Sequence, residues 1–237
     1  MQPESPAQVP ELDFVRQIAA ATPRRKFLQW AGITLGVAAI ACSDDDMGTG
    51  PNDDDIALGS GDAGILNYAY ALEQLEAAFY TQAVMTPYGG ISGAELQVLT
   101  DIRDHEIVHR EFLKAALGSG AIATLTFDFA TVNFGSRASV LGTAKVFEDL
   151  GVSAYNGAGQ LISDPGYLLL AGKIVSVEAR HASVIRDLLN PGSADFAGDD
   201  VVVVATGLDG AALPAVVLAA AGGFVNESID ASQLPTS

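Results

Sequence analysis

Two copies of Glu-x-x-His, Glu106 to His109 and Glu178 to His181, constrain this 237-residue chain more than any other feature. With ten glutamates in the chain, a given histidine follows a glutamate by three in roughly one case in twenty-four by accident, yet two of the three histidines do so. On a helix, residues three apart share a face, so each pair can address one ion or two adjacent ions. Each pair is preceded by a Glu and Tyr seven apart, Glu73 with Tyr80 and Glu148 with Tyr155. Seven residues are nearly two turns, which again puts both side chains on one face. The glutamates of each half are separated by 33 residues (73 to 106) and 30 residues (148 to 178), as in two similar hairpins related by a pseudo-twofold.

The apolar pattern places these pairs on four helices. Residues from Asp62 to Val84 carry Ile65, Leu66, Tyr68, Leu72, Leu75 and Phe79 at helical spacing, with Asp62 as the expected N-cap. A second helix is expected after Ser92 and closed by Gly118, and the short loop between the two implies antiparallel packing. A crossover of about twenty residues follows, in which Leu125, Phe127 and Phe129 alternate with polar residues as in extended chain. The third helix is expected from about Ser139 to Ile162, although its four glycines lower its propensity by roughly 1 kcal/mol each. The fourth runs from Tyr167 to Leu189, before Asn190-Pro191-Gly192. Beyond it lie a β-prone run, Val201 to Val204, and a short apolar helix near Leu213 to Val225. The fold class expected is all-α: an up-down four-helix bundle with one long crossover and a short C-terminal extension.

Composition limits what such a bundle can bind. A net charge of -17 argues against nucleic acid as a partner. A single cysteine excludes an internal disulfide, a four-cysteine zinc site and an iron–sulfur cluster, so carboxylates and imidazoles must hold any metal. That cysteine, Cys42, ends an apolar run that begins at Phe27 behind Arg24-Arg25-Lys26, a run short for a membrane span, which needs about 20 residues. The arginine pair resembles a twin-arginine export signal, and Ala39-Ile40-Ala41-Cys42 resembles a lipoprotein cleavage box that would leave Cys42 lipidated. Residues 1–42 therefore read as a signal peptide, 43–61 as an acidic flexible linker, 62–190 as the bundle and 191–237 as a C-terminal extension. The expected location is extracytoplasmic and membrane-anchored, in the periplasm or at the cell surface. Without residues 1–41 the chain keeps eight basic and twenty-six acidic residues, six of the latter in the linker and four in the two repeats.

Over residues 62–190, the stretches LNYAYALEQLEAAFY, IRDHEIVHREFL and FEDLGVSAYNGA resemble the di-metal carboxylate members of the ferritin-like superfamily, and in particular the bacterial exported ferritin-like-domain proteins related to plant desiccation-related proteins. The resemblance implies a ferritin-like bundle holding two divalent redox metals. Glu73 and Glu148 would be the single carboxylate ligands, Glu106 and Glu178 the bridging or terminal carboxylates, and His109 and His181 the nitrogen ligands. Four inward carboxylates also balance two dications, and one nitrogen per ion in an oxygen-rich shell suits iron or manganese better than copper. Glu76, one turn from Glu73, could replace it as ligand. Tyr80 and Tyr155 could hydrogen-bond ligand carboxylates, while His105, about 100° around the helix from Glu106, reads as surface or outer shell.

The function expected is redox activity towards peroxide or dioxygen, with Glu178 moving protons as the catalytic carboxylate. Ferroxidase activity in iron handling is one alternative, and a non-catalytic structural or stress-protective envelope protein is another. Expected partners are metal ions, a small oxidant, the membrane through the lipid anchor and, in a homodimer, a second copy of the chain.

Overall fold

The computed structural model describes residues 55–236. The signal peptide, Cys42 and the aspartate-rich part of the expected linker lie outside the described residues. Four long helices dominate: α1 (Gly61–Met85), α2 (Gly93–Leu117), α3 (Arg137–Gly159) and α4 (Pro165–Leu189). The pairs α1/α2 and α3/α4 form two tightly packed hairpins, and α3 also packs on α1 and α4 on α2. No helix among the described residues is long and apolar enough to cross a membrane.

The helix ends follow local chemistry. Ser92 caps α2 by accepting from the Glu95 N–H, Ser136 caps α3 through Ser139 N–H, and Asp164 caps α4 ahead of Pro165. Gly118 closes α2 at φ 56°, a value glycine takes without a Cβ penalty. Asp62 does not cap α1, as the sequence suggests, because the helix begins one residue earlier behind Ser60. Its carboxylate instead accepts from the Ser163 and Asp164 N–H groups, tying the start of α1 to the turn between α3 and α4.

Helix α1 is buried on nearly all sides, since the crossover and the C-terminal segment cover what the other helices leave. Its polar residues are used to satisfy loop backbone that would otherwise be buried without partners. Asn67 donates to the carbonyls of Leu58 and Gly120 and accepts from Ile122 N–H, and Gln74 accepts from Leu125 N–H. The crossover is extended but forms only an isolated bridge, Phe127 to Val225. Phe129 and Phe224 join Phe79 and Phe147 in a set of edge-on and tilted aromatic contacts inside the bundle.

The segments at either end are part of this packing. The last residues of the expected flexible linker are ordered: β1 (Ile56–Ala57) pairs in parallel with β4 (Ile229–Asp230), and Leu58 is fully buried beside Leu234 in the core. Long-range pairing with the far end of the chain, absent from any local pattern, fixes them. Between α4 and β4 the chain makes a small hairpin, β2 (Val202–Val203) with β3 (Leu208–Asp209), and a short helix α5 (Pro214–Ala221). Arg186, nearly inaccessible on α4, holds this segment by hydrogen bonds to Asp149 of α3, to Asp200 and to the Asp195 carbonyl.

Gly157 is where the C-terminal segment meets α3. A Cβ at Gly157 would lie 1.9 Å from the Ala212 carbonyl oxygen, and Ala212 N–H donates to the Ser153 carbonyl one turn away. Gly142, on the same helix, faces open space. Gly157→Ala should therefore destabilise the domain by about 1–3 kcal/mol through overpacking. Gly142→Ala should leave it unchanged or raise stability by up to about 1 kcal/mol. Denaturant midpoints of the two variants check both signs.

Candidate metal centre

The four central helices each deliver ligand-type residues to one buried point. Glu73 comes from α1, Glu106 and His109 from α2, Glu148 from α3, and Glu178 and His181 from α4. All four glutamates are at most 1% exposed. The six residues expected from the sequence are thus brought together, and they divide into two groups of four. Glu73, Glu106, His109 and Glu178 form one, and Glu106, Glu148, Glu178 and His181 the other, with donor atoms of each group within 4.8 Å of one another.

The division is atom by atom. His109 Nδ1 lies 3.4 Å from Glu73 Oε2, 3.5 Å from Glu106 Oε2 and 3.0 Å from Glu178 Oε1. His181 Nδ1 lies 2.8 Å from Glu106 Oε1, 3.5 Å from Glu148 Oε2 and 3.9 Å from Glu178 Oε2. Glu106 and Glu178 thus turn one oxygen to each position, whereas Glu73 and Glu148 serve one position each. Three oxygens and one nitrogen thus face each position.

The remaining oxygens of the outer glutamates are held crosswise. Tyr80 of α1 donates to Glu148 Oε1 of α3, and Tyr155 of α3 donates to Glu73 Oε1 of α1. Each tyrosine therefore orients the carboxylate of the opposite hairpin, leaving its other oxygen pointing inward. Eight inward atoms have no hydrogen-bond partner despite full burial: Glu73 Oε2, Glu148 Oε2, both oxygens of Glu106 and of Glu178, and Nδ1 of His109 and His181. Buried polar atoms are otherwise almost always paired. A group of eight orphans that coincides with two four-donor shells fits a pair of cations.

Glu76 lies beside the six and is 4% exposed, but belongs to neither group. The repeat that takes Glu73 to Glu148 and Tyr80 to Tyr155 takes Glu76 to Gly151. A Cβ at Gly151 would lie 3.2 Å from Glu76 Oε1 and 3.5 Å from Glu178 Oε2, so glycine at 151 leaves room for the extra carboxylate. His105 belongs to neither group. Its Nδ1 is 2.8 Å from His181 Nε2, and the two ring planes lie 7° apart, edge to edge. No sequence signal on α2 alone could reveal that contact, because it depends on how α4 is turned.

In the metal-free protein this charge is managed by protons. Burial and the neighbouring Glu106 push Glu73 up to about 8. Burial and the other carboxylates also raise Glu76, Glu148 and Glu178. Glu106 is the exception: burial pushes it up, but the imidazoles of His109 and His181 beside it outweigh that and hold it at about 2. Burial alone would lower both histidines, yet their carboxylate partners raise His109 to about 12 and His181 to about 10. Both imidazoles are thereby held towards the protonated form, in competition with any cation at Nδ1.

Two outcomes follow from the signs. Loading with divalent ions at pH 7 should release two or more protons per chain, measurable with an indicator dye, and affinity should rise with pH. For the metal-free protein, the stability contributed by the raised groups is full below their unfolded values, near 6.5 for histidine and 4.5 for glutamate. It is lost as pH climbs through the folded ones. Its melting temperature should fall from pH 6 to pH 9, and bound metal should flatten that dependence.

A search of curated proteins returned no match for this chain. The sequence model of the ferritin-like domain matches residues 61–191, more than half of the chain, from the first residue of α1 to just past the end of α4. With four helices in two hairpins, one long crossover between them and Glu-x-x-His on the second and fourth, the chain belongs to the ferritin-like domain family.

Proposed function

We propose that this is an exported, lipid-anchored ferritin-like protein whose paired iron or manganese ions give it redox activity towards peroxide or dioxygen. The observation that carries the reading is the set of eight buried, unpartnered donor atoms, divided as three oxygens and one nitrogen about each of two positions. Iron or manganese bound there would supply the change of oxidation state, and both metals suit such a shell better than copper. Glu106 and Glu178 would bridge the two ions, Glu73 with His109 and Glu148 with His181 would complete each side, and Tyr80 and Tyr155 would keep the single carboxylates aimed inward.

Proton handling divides between Glu178 and Glu76. Glu178 is the expected catalytic carboxylate, but both of its oxygens face ion positions. Four ligand carboxylates balance two dications, and Glu76 would add a fifth negative charge in a buried site. Glu76 is thus the acid that keeps its proton once the ions are bound, within reach of the same pocket. Export and lipidation rest on Arg24-Arg25, the apolar run behind them and Cys42, and a homodimer is compatible with a single anchored domain.

Protein purified from its native exported form should contain two redox ions per chain and consume peroxide or dioxygen. Glu106→Ala and His181→Ala should each lose metal affinity and turnover by about tenfold or more. Fewer than two tightly bound ions, or equal consumption by both variants, would refute the redox reading, and oxidation of ferrous iron without peroxide turnover would move it to ferroxidase. Mass spectrometry of the membrane fraction should find chains beginning at an acylated Cys42, and Cys42→Ala should abolish that species. Native chains with an uncut N-terminus would remove the lipid anchor.

A further inference from the structure

We infer that the two ion positions are unequal, and that His105, through its hydrogen bond to His181, makes the Glu148/His181 position the tighter one. The inference rests on the metal pair proposed above. His105 Nδ1 stands 2.8 Å from His181 Nε2, with ring planes 7° apart and centroids 5.1 Å apart. His181 Nδ1 is turned inward to Glu106 and Glu148. An ion at this position takes the lone pair of Nδ1, so the ring proton must sit on Nε2. That N–H then donates to His105 Nδ1, and His105 carries its own proton on Nε2.

An acceptor behind a ligating imidazole fixes its tautomer and orientation and raises its basicity, and loss of such a partner costs about 10–100-fold in affinity.

The other position lacks this support. All polar contacts of His109 among the described residues run through Nδ1. The step of 72 residues that carries Glu106 and His109 onto Glu178 and His181 carries His105 onto Val177, which has no acceptor to offer. The pseudo-twofold that equalises the inner donors is broken behind the histidines.

Manganese(II) titrated into the metal-free wild-type protein, with free ion counted by electron paramagnetic resonance, should bind in two steps. Glu148→Ala should remove the tighter step and Glu73→Ala the weaker. His105→Phe should weaken the tighter step by about 10–100-fold and leave the weaker one in place, while His105→Gln, which keeps an acceptor, should restore most of the loss. Because His105→Phe also removes the acceptor facing buried His181, its metal-free melting temperature should fall, and His105→Gln should restore it. Unchanged binding in His105→Phe, equal weakening of both steps, or no rescue by glutamine would overturn the inference while leaving the metal pair intact. Absence of manganese binding in the wild type, with iron(II) also failing to bind, would instead remove the metal reading on which it rests.

Discussion

Burying five glutamates among four helices is the constraint to which the rest of this structure answers. In an apolar interior, ionised carboxylates cannot stand side by side without counter-charge. Here the counter-charge is arranged in layers. Two imidazoles stand within ion-pair distance, protons fill in when no cation is present, and the inward donor atoms leave two shells that cations would complete. The helices need not be good helices by themselves. Glycines in α3 are tolerated because two of them, Gly151 and Gly157, make room for a carboxylate and for the C-terminal segment.

The crosswise tyrosines show how such a site is held in register. A hydrogen bond from α1 to the α3 glutamate and another from α3 to the α1 glutamate link the hairpins at the level of the site. Shifting one hairpin along the other would break both at once. Rotating one helix would turn a tyrosine and a glutamate away together, because each pair lies on one helix face. The same tyrosines that orient the outer glutamates thus also fix the relative height of the two hairpins, and the aromatic contacts of Phe79 and Phe147 support that alignment from inside the bundle.

Much of this was legible in the sequence where the signal is periodic and local. Four helices, the N-caps at Ser92 and the turn at Gly118, and the six inward residues all follow from spacing along single helices. Glu76 and Glu73 share a face one turn apart, and it is the Glu-to-Tyr spacing repeated in the third helix that favours Glu73. In the structure Tyr155 of the opposite hairpin holds Glu73, which stands in a donor group where Glu76 does not. On its own helix His105 is exposed and turned away from Glu106. Its contact with His181 belongs to the neighbouring helix and leaves no trace in local spacing. The strand at Ile56–Ala57 was hidden for a similar reason, since its partner lies some 170 residues on and two-residue pairing has no pattern of its own.

That strand has a mechanical consequence. Because β1 and β4 are parallel neighbours, the chain enters and leaves the domain through the same small patch, with Leu58 and Leu234 sealed behind it. A pull on the N-terminal side is taken first by this pairing, in shear along the two strands, before it reaches α1 and the buried carboxylates. The bundle is closed like a loop with a clasp, and force on one end is shared with the other.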